Sequence, residues 1–144
     1  MQIDILSEVT DEVADAFARL LPQLYSSAAP LSKAALADIA AHPATTVLVA
    51  RDGETIVGTL TLVLYPIITG LRAHIDDVVV DSAARGQGVG EALTMAAIRL
   101  ADEAGVRTVD LTSRPSREGA NRLYQRLGFE LRDSNLYRYT IRRK

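Results

Sequence analysis

Apolar and polar residues alternate in "QIDIL" at the start of the chain, the period-two pattern of a strand with one buried face. The period then lengthens. In "DEVADAFARLLPQLY" the apolar residues Val13, Phe17, Leu20, Leu21 and Leu24 recur at helical spacing, with Thr10 and Asp11 as candidate N-caps. Pro22 is expected to kink or end this helix, because it has no N–H and its ring crowds the preceding turn. Ser32 caps a second predicted helix, "KAALADIAAH", stopped by Pro43. Two β-rich runs follow, "TTVLVAR" and "TIVGTLTLVLY", joined by the turn "DGE" as a hairpin, and a loop is expected from Pro66 to Gly70.

"RAHIDDVVVD" is the next strand, and its unbroken valines predict burial on both faces of its C-terminal half. A helix is predicted from Val89, with Val89, Leu93, Ala96, Leu100 and Ala104 on its apolar stripe and Gly105 just past its end. "VRTVDLTS" reads as a strand and "SREGANRLYQRLG" as a short helix ended by Gly128. "FELRD" and "NLYRYTI" read as a closing pair of strands. The order β-α-α-β-β-β-α-β-α-β-β predicts an α/β (α+β) fold, a mixed and mostly antiparallel sheet with helices on both faces. No linker, repeat or low-complexity segment interrupts residues 1–144, so a single domain is expected.

At 144 residues, 48% hydrophobic and 24% charged, the chain has material for one core. No apolar run approaches the ~18 residues of a spanning helix and the start is acidic, so a cytoplasmic protein without a membrane partner is expected. With no cysteine the chain has no disulfide, thiolate metal site or cysteine nucleophile, and with His42 and His74 its only histidines no metal site is expected. Residues 1–106 carry 6 Lys and Arg against 14 Asp and Glu, a net of −8, while residues 107–144 carry 10 against 4, a net of +6. That asymmetry suits a polyanionic ligand at one end and a cationic one at the other. A nucleic-acid partner is not expected, since the basic residues are diluted and the pI is about 5.7.

The segment "DSAARGQGVGEAL", residues 81–93, joins the valine-rich strand to the following helix. Counted from Gly86 or Gly88, the third glycine of G-x-G-x-x-G falls on Glu91 or Leu93, and G-x-x-x-x-G-K-[ST] fails for want of lysine. Neither nucleotide fingerprint is present. What remains is an open helix start with unpaired N–H groups, a positive dipole end and no bulky side chains at 86, 88 and 90 to block a diphosphate.

"VVVDSAARGQGVGEAL" resembles the acyl-CoA-binding motif of the GCN5-related N-acetyltransferases (GNAT), [Q/R]-x-x-G-x-[G/A], with Arg85, Gly88 and Gly90 in its defined positions. Downstream, "REGANRLYQRLGFEL" is similar to the family's A-x-x-L-Y-x-x-x-G-F block, through Ala120, Leu123, Tyr124, Gly128 and Phe129. The resemblance implies a sheet splayed near its centre and acetyl-CoA as acetyl donor. The coenzyme's diphosphate would lie on backbone amides of Arg85, Gly86, Gln87, Gly88, Val89 and Gly90, and its pantothenyl arm along Val78, Val79 and Val80. Arg114, Arg117 and Arg122 are candidates for the remaining phosphates. The resemblance further implies Tyr124 as the general acid that protonates the coenzyme thiolate, and Asn121, on the same helix face, is a candidate coenzyme contact.

Acetyl transfer from a thioester to an amine needs a neutral nucleophile, and an alkyl amine of pKa near ~10.4 must lose a proton, whereas a thiol near ~8.5 leaves almost unaided. "HIDDVVV" offers His74, Asp76 and Asp77 as bases, with His74 and Asp76 on one strand face and Asp77 on the other unless a bulge shifts the register. The stretch resembles the H-I-E-D-V-V-V strand of the glucosamine-6-phosphate acetyltransferases within the family, with Asp76 in place of their glutamate, a shorter carboxylate that favours an intervening water. Asp76 is the leading candidate base. Without cysteine, direct attack in a ternary complex is the simpler route than an acyl-enzyme.

In such a fold the N-terminal helices and the loop Pro66–Leu71 would line the acceptor side, where Asp11, Glu12, Asp15 and Asp38 supply negative charge. A small cationic amine is therefore the expected acceptor, ahead of a protein N-terminus or lysine. A coenzyme-binding regulatory domain without turnover is the reading of another class, and the presence of Tyr124 weighs against it. "NLYRYTI", as a short apolar edge strand, points to a homodimer.

Overall fold

Thr10 and Ser32 start helices as their side chains require. Thr10 Oγ1 accepts from Val13 N at 3.3 Å and Ser32 Oγ from Ala35 N at 3.0 Å. The computed structural model describes residues 1–27 and 29–143. The elements are β1 (Gln2–Ile5), α1 (Asp11–Leu24), α2 (Lys33–Ala41), β2 (Thr45–Asp52), β3 (Thr55–Ile67), β4 (Gly70–Val80), α3 (Val89–Glu103), β5 (Val109–Asp110) and α4 (Glu118–Arg126), with a 3-10 turn at Ser82–Ala84. They fall into two compact units, Met1–Thr112 and Ser113–Lys144.

In the first unit the strands lie in the order β1-β2-β3-β4-β5, antiparallel except for the β4–β5 pair. One sheet face, with Val47, Val49, Ile56 and Val79, is buried with Val13, Phe17 and Leu20 of α1 and Leu36 of α2. On the other face α3 comes so close to β3 that a Cβ on Gly58 would lie 2.9 Å from Val89 Cγ1 and 3.2 Å from Leu93 Cδ1. Helices thus cover both faces, as the element order predicts.

Several expectations give way. Pro22 sits inside α1, which runs two residues beyond it to Leu24. The missing N–H removes a bond only to the carbonyl of Ala18, an exposed residue whose oxygen water can satisfy. The expected loop from Pro66 to Gly70 is instead ladder, since Pro66 pairs with Leu71 and Ile67 with Gly70. Gly70 (φ 128) and two arginines make the tight turn possible, Arg107 Nη1 donating to Thr69 O at 2.8 Å and Arg72 Nη2 to Thr69 Oγ1 at 3.2 Å.

The buried stripe of α3 is Val89, Leu93, Thr94, Ala97 and Ala101, rotated from the expected one, so that Ala104 is exposed. Thr94 can be 0% exposed because its hydroxyl donates to Gly90 O at 2.7 Å. The predicted strand "VRTVDLTS" shrinks to Val109–Asp110. In the second unit, residues 129–143 form no strand, and Leu131, Leu136, Tyr137, Tyr139 and Ile141 are exposed. Alternation specifies a strand only where a neighbour buries one face. Among the described residues none pairs with "FELRD" or "NLYRYTI", so the edge strand expected to carry a dimer is absent.

Candidate active site

The middle of β4 carries a defect that its sequence does not announce. Thr61 pairs with Asp76 and Thr59 with Val79, so Leu60 alone opposes both Asp77 and Val78, a β-bulge. Asp77 takes φ 51, a left-handed conformation that aspartate tolerates better than most residues. Its N–H donates to Asp76 Oδ1 at 2.9 Å, so one carboxylate oxygen of Asp76 fastens the bulge. Thr59 and Thr61 share a face of β3; therefore Val79 emerges on the same face as His74 and Asp76, and Val79 is buried in the core beneath α1.

Asp76 and Asp77 are both exposed. Partial withdrawal from water, and then repulsion by Asp76, raise the Asp77 carboxyl above its ordinary pKa. On its other side β4 pairs with β5 only at Ala73–Val109 and His74–Asp110. Among the described residues no strand pairs with that edge over residues 75–80. This is the splay that the resemblance implies, and an extended ligand can add to the open edge as a strand would.

Where β4 ends, the chain turns into α3. The amides of residues 81–84 are all used internally, by Val57 O, Gln23 Oε1, Asp81 Oδ1 and Asp81 O respectively. The next stretch differs. Gly86 (φ 79) and Gly88 (φ 77) are left-handed, and a Cβ at either position would meet nothing within 4 Å. Gly88 is the N-cap of α3, and Ala92 N to Gly88 O is the first intrahelical bond. The amides of Gly88, Val89 and Gly90 precede it and point out of the helix start. The Val89 side chain is buried against β3, so only its backbone can serve a ligand, while Arg85 and Gln87 are exposed. Val78 and Val80 are half-buried and Val79 buried, so the expected burial on both faces holds in part.

The second unit holds Tyr124 on α4, 7% exposed, its ring edge-on to Phe129 at 5.8 Å. Burial raises the phenol pKa, against the lowering effect of the Arg117 charge. Tyr124 is the buried residue of this helix. Asn121 Nδ2 donates to Arg117 O at 2.8 Å, Arg114 O at 2.9 Å and Ser113 Oγ at 3.3 Å, which ties the turn before α4 and commits that amide nitrogen. Arg122 is exposed beside Glu118 at 4.0 Å.

The acids expected near the acceptor are scattered. Asp11 pairs with Lys33 at 3.0 Å. Glu12 and Asp15 line an open groove of about 550 Å³ with Glu8, Arg19, Arg51 and Glu54, and no β4 residue lines it. Arg19, Gln23 and Asp81 form a cluster that the sequence did not single out. Its one trace there is the spacing of four that puts Arg19 and Gln23 on a common face of α1.

Comparison with known proteins agrees with this geometry. The model of the acetyltransferase (GNAT) family matches residues 10–129. A glucosamine 6-phosphate N-acetyltransferase of Trypanosoma brucei brucei is 36% identical over 119 residues, covering 77% of this chain and 79% of the relative. A solved acetyltransferase of Trypanosoma brucei superposes with a TM-score of 0.78 at 29% identity, covering 96% of this chain and 99% of that one. An aminoglycoside acetyltransferase from an uncultured soil metagenomic sample, solved with sisomicin, has a TM-score of 0.84 at 20% identity over 99% and 96% of the two chains, a likeness of fold alone. The open β4 edge, the bulge and the glycine-lined helix start therefore belong to a member of the GNAT acetyltransferase family, and the chain is an N-acetyltransferase.

Proposed function

We propose that the chain, as one acetyltransferase domain acting in the cytoplasm, moves the acetyl group of acetyl-CoA to a small cationic primary amine by direct attack. The carrying observation is that the unpaired edge of β4 leads from the bulge straight to a helix start stripped of side chains. From Asp77 to Asp81 a strand spans about 13 Å, room for an extended arm along Val78–Val80 with its diphosphate on the amides of residues 85–90.

At the bulge, Asp76 and Asp77 put two exposed carboxylates where the acceptor would arrive, which favours a cationic amine over an anionic one. Asp76 takes the ammonium proton, directly or through a water, with Asp77 and His74 as the alternatives on the same strand. Attack of the freed amine on the thioester carbonyl forms the C–N bond, the C–S bond breaks as Tyr124 gives its proton to the departing thiolate, and the second proton, shed by the amide nitrogen, returns the phenolate to phenol. The raised phenol pKa supports that role, since Tyr124 keeps its proton well above neutral pH.

Amino sugars head the acceptor list. The relative's name gives an amino sugar phosphate and the sisomicin complex an aminoglycoside, each stated of that protein. Lysine side chains and protein N-termini come second. A homodimer is supported only by the exposed apolar residues at 131–141, now that the strand expected there is absent.

Two measurements test the proposal. Gly88→Glu should abolish acetyl-CoA binding by calorimetry, and unchanged affinity in the folded variant would remove the site. A panel of glucosamine, glucosamine 6-phosphate, sisomicin, spermidine and a lysine peptide, read by free thiol release, should show turnover on an amino sugar or polyamine. Turnover on the peptide alone would replace the small-amine reading.

A further inference from the structure

Two side chains of α1 reach the turn that leaves β4. Gln23 Oε1 accepts from Ser82 N at 2.9 Å, across 59 positions of sequence. One helical turn earlier, Arg19 Nε donates to Asp81 Oδ2 at 3.1 Å and its Nη2 to Ile56 O at 2.6 Å. Gln23 Nε2 also donates to Arg19 O at 3.3 Å, linking the pair. Asp81 spends its other oxygen on Ala83 N at 3.1 Å, and its own N–H on Val57 O at 2.8 Å.

The Asp81 side chain is 15% exposed, whereas Arg19 is 44% exposed. The Ala83 N–H first, then Arg19 and Gln23, hold the Asp81 carboxyl below its ordinary range, so the acceptor stays ionised at working pH. Every amide from 81 to 84 is thereby fixed, and every fixing group lies upstream of the open amides at 88–90.

We propose that Arg19 and Gln23 are positioning residues for the acetyl donor: through Asp81 and Ser82 they set the direction in which the 85–90 turn leaves the sheet, so that its amides meet the diphosphate already aligned. This rests on the reading of residues 85–90 as the diphosphate site. A turn ordered beforehand does not have to be ordered by the ligand, and that difference appears in affinity. Once the donor is bound, its own contacts hold the turn, so the loss from removing the clamp falls on binding and not on the chemical step.

The test uses the intact protein with acetyl-CoA and its product CoA as probes. Gln23→Met keeps the length of the side chain and removes the acceptor. It is expected to raise Kd for CoA and KM for acetyl-CoA about 3- to 10-fold, the effect of one net hydrogen bond, with kcat at saturating donor falling less than about twofold. Gln23→Glu restores an acceptor for Ser82 N–H and should recover part of the affinity. Arg19→Ala, at an exposed position, should show the same split if Gln23→Met folds poorly.

A merely structural clamp would lower the melting temperature and leave Kd and KM of the folded fraction at wild-type values, and that outcome overturns the proposal. Gly88→Glu separates the two layers. If it binds CoA as the wild type does, the site reading has failed. If it loses CoA while Gln23→Met and Arg19→Ala bind normally, the site stands and the clamp does not.

Discussion

Gly88 and Gly90 are two residues apart, yet the physical cost of giving each a methyl group has opposite sign. Gly90 lies in the first turn of α3 and is not among the residues with positive φ, so its backbone needs no glycine. Gly90→Ala should stabilise the free protein by about 0.5–1 kcal/mol, the usual helix preference for alanine. For a chain of this size that raises Tm by about 1–4 °C. Gly88 has φ 77 with open space around a Cβ, so Gly88→Ala meets no clash but incurs the left-handed penalty of about 1–2 kcal/mol and lowers Tm.

If the diphosphate of acetyl-CoA lies on these amides, a methyl at Gly88 holds it away, whereas Gly90 stands where the resembled motif accepts alanine, and a methyl there leaves the diphosphate in place. The loss of one charge-assisted hydrogen bond, about 1.5–3 kcal/mol, weakens Kd roughly 10- to 100-fold in Gly88→Ala, while Gly90→Ala keeps an affinity near that of the wild type. Thermal unfolding without ligand and calorimetry with CoA give the two numbers independently. A folded Gly88→Ala protein that binds CoA with wild-type affinity would refute the placement of the diphosphate at the helix start.

The remaining predictions concern protons and assembly. Tyr124→Phe should lower kcat towards the low end of the ~10²- to 10⁴-fold range for general acids and leave CoA affinity nearly intact, by steady-state kinetics and calorimetry. Asp76→Asn should reduce kcat/KM more at pH 7 than at pH 9, where more amine is already free, and an equal loss at both would make Asp76 the bulge fastener alone. For Asp77 the folded pKa is raised, so its stabilising contribution is complete below the ordinary aspartate value of about 3.9 and is lost as pH rises through the folded pKa. Asp77→Asn should therefore raise Tm at pH 7, with the gain fading as pH falls towards that value; a gain equal at both pH values would exclude the charge as its cause. Sedimentation at micromolar protein should show a dimer, and a monomer would remove the homodimer.

Local chemistry made much of the fold readable. The caps at Thr10 and Ser32, the glycines after α3 and α4, and the hairpin turn after β2 each act within a few residues of where they stand. The glycine turn was legible for the same reason, since Gly86 and Gly88 must be glycine to hold their own φ. The bulge was foreseen only as a possibility. A register shift belongs to a pair of strands, and nothing in "HIDDVVV" says that Leu60 will face two residues.

The closing strands failed on the converse ground, because "NLYRYTI" has the alternation of a strand and no described neighbour to complete it. Thr94 misled the stripe of α3 because its hydroxyl is satisfied one turn back, which makes it as buriable as an apolar residue. The Arg19–Asp81 pair and the Gln23–Ser82 bond join residues about 60 positions apart, and no pattern of period two or 3.6 encodes such a contact.

Gly58 acts as a spacer made of nothing. Because no atom stands where its Cβ would be, Val89 and Leu93 settle directly onto β3, and the height of the α3 start above the sheet is decided by a residue in another strand. The gap between the bulge and the amide donors is thus a caliper whose setting can be changed without touching either jaw. Alanine at position 58 would push the helix start outward by a few tenths of an ångström, and larger residues further. Tolerance for donors of altered arm length can therefore be engineered from beneath the site, at a position that no ligand ever touches.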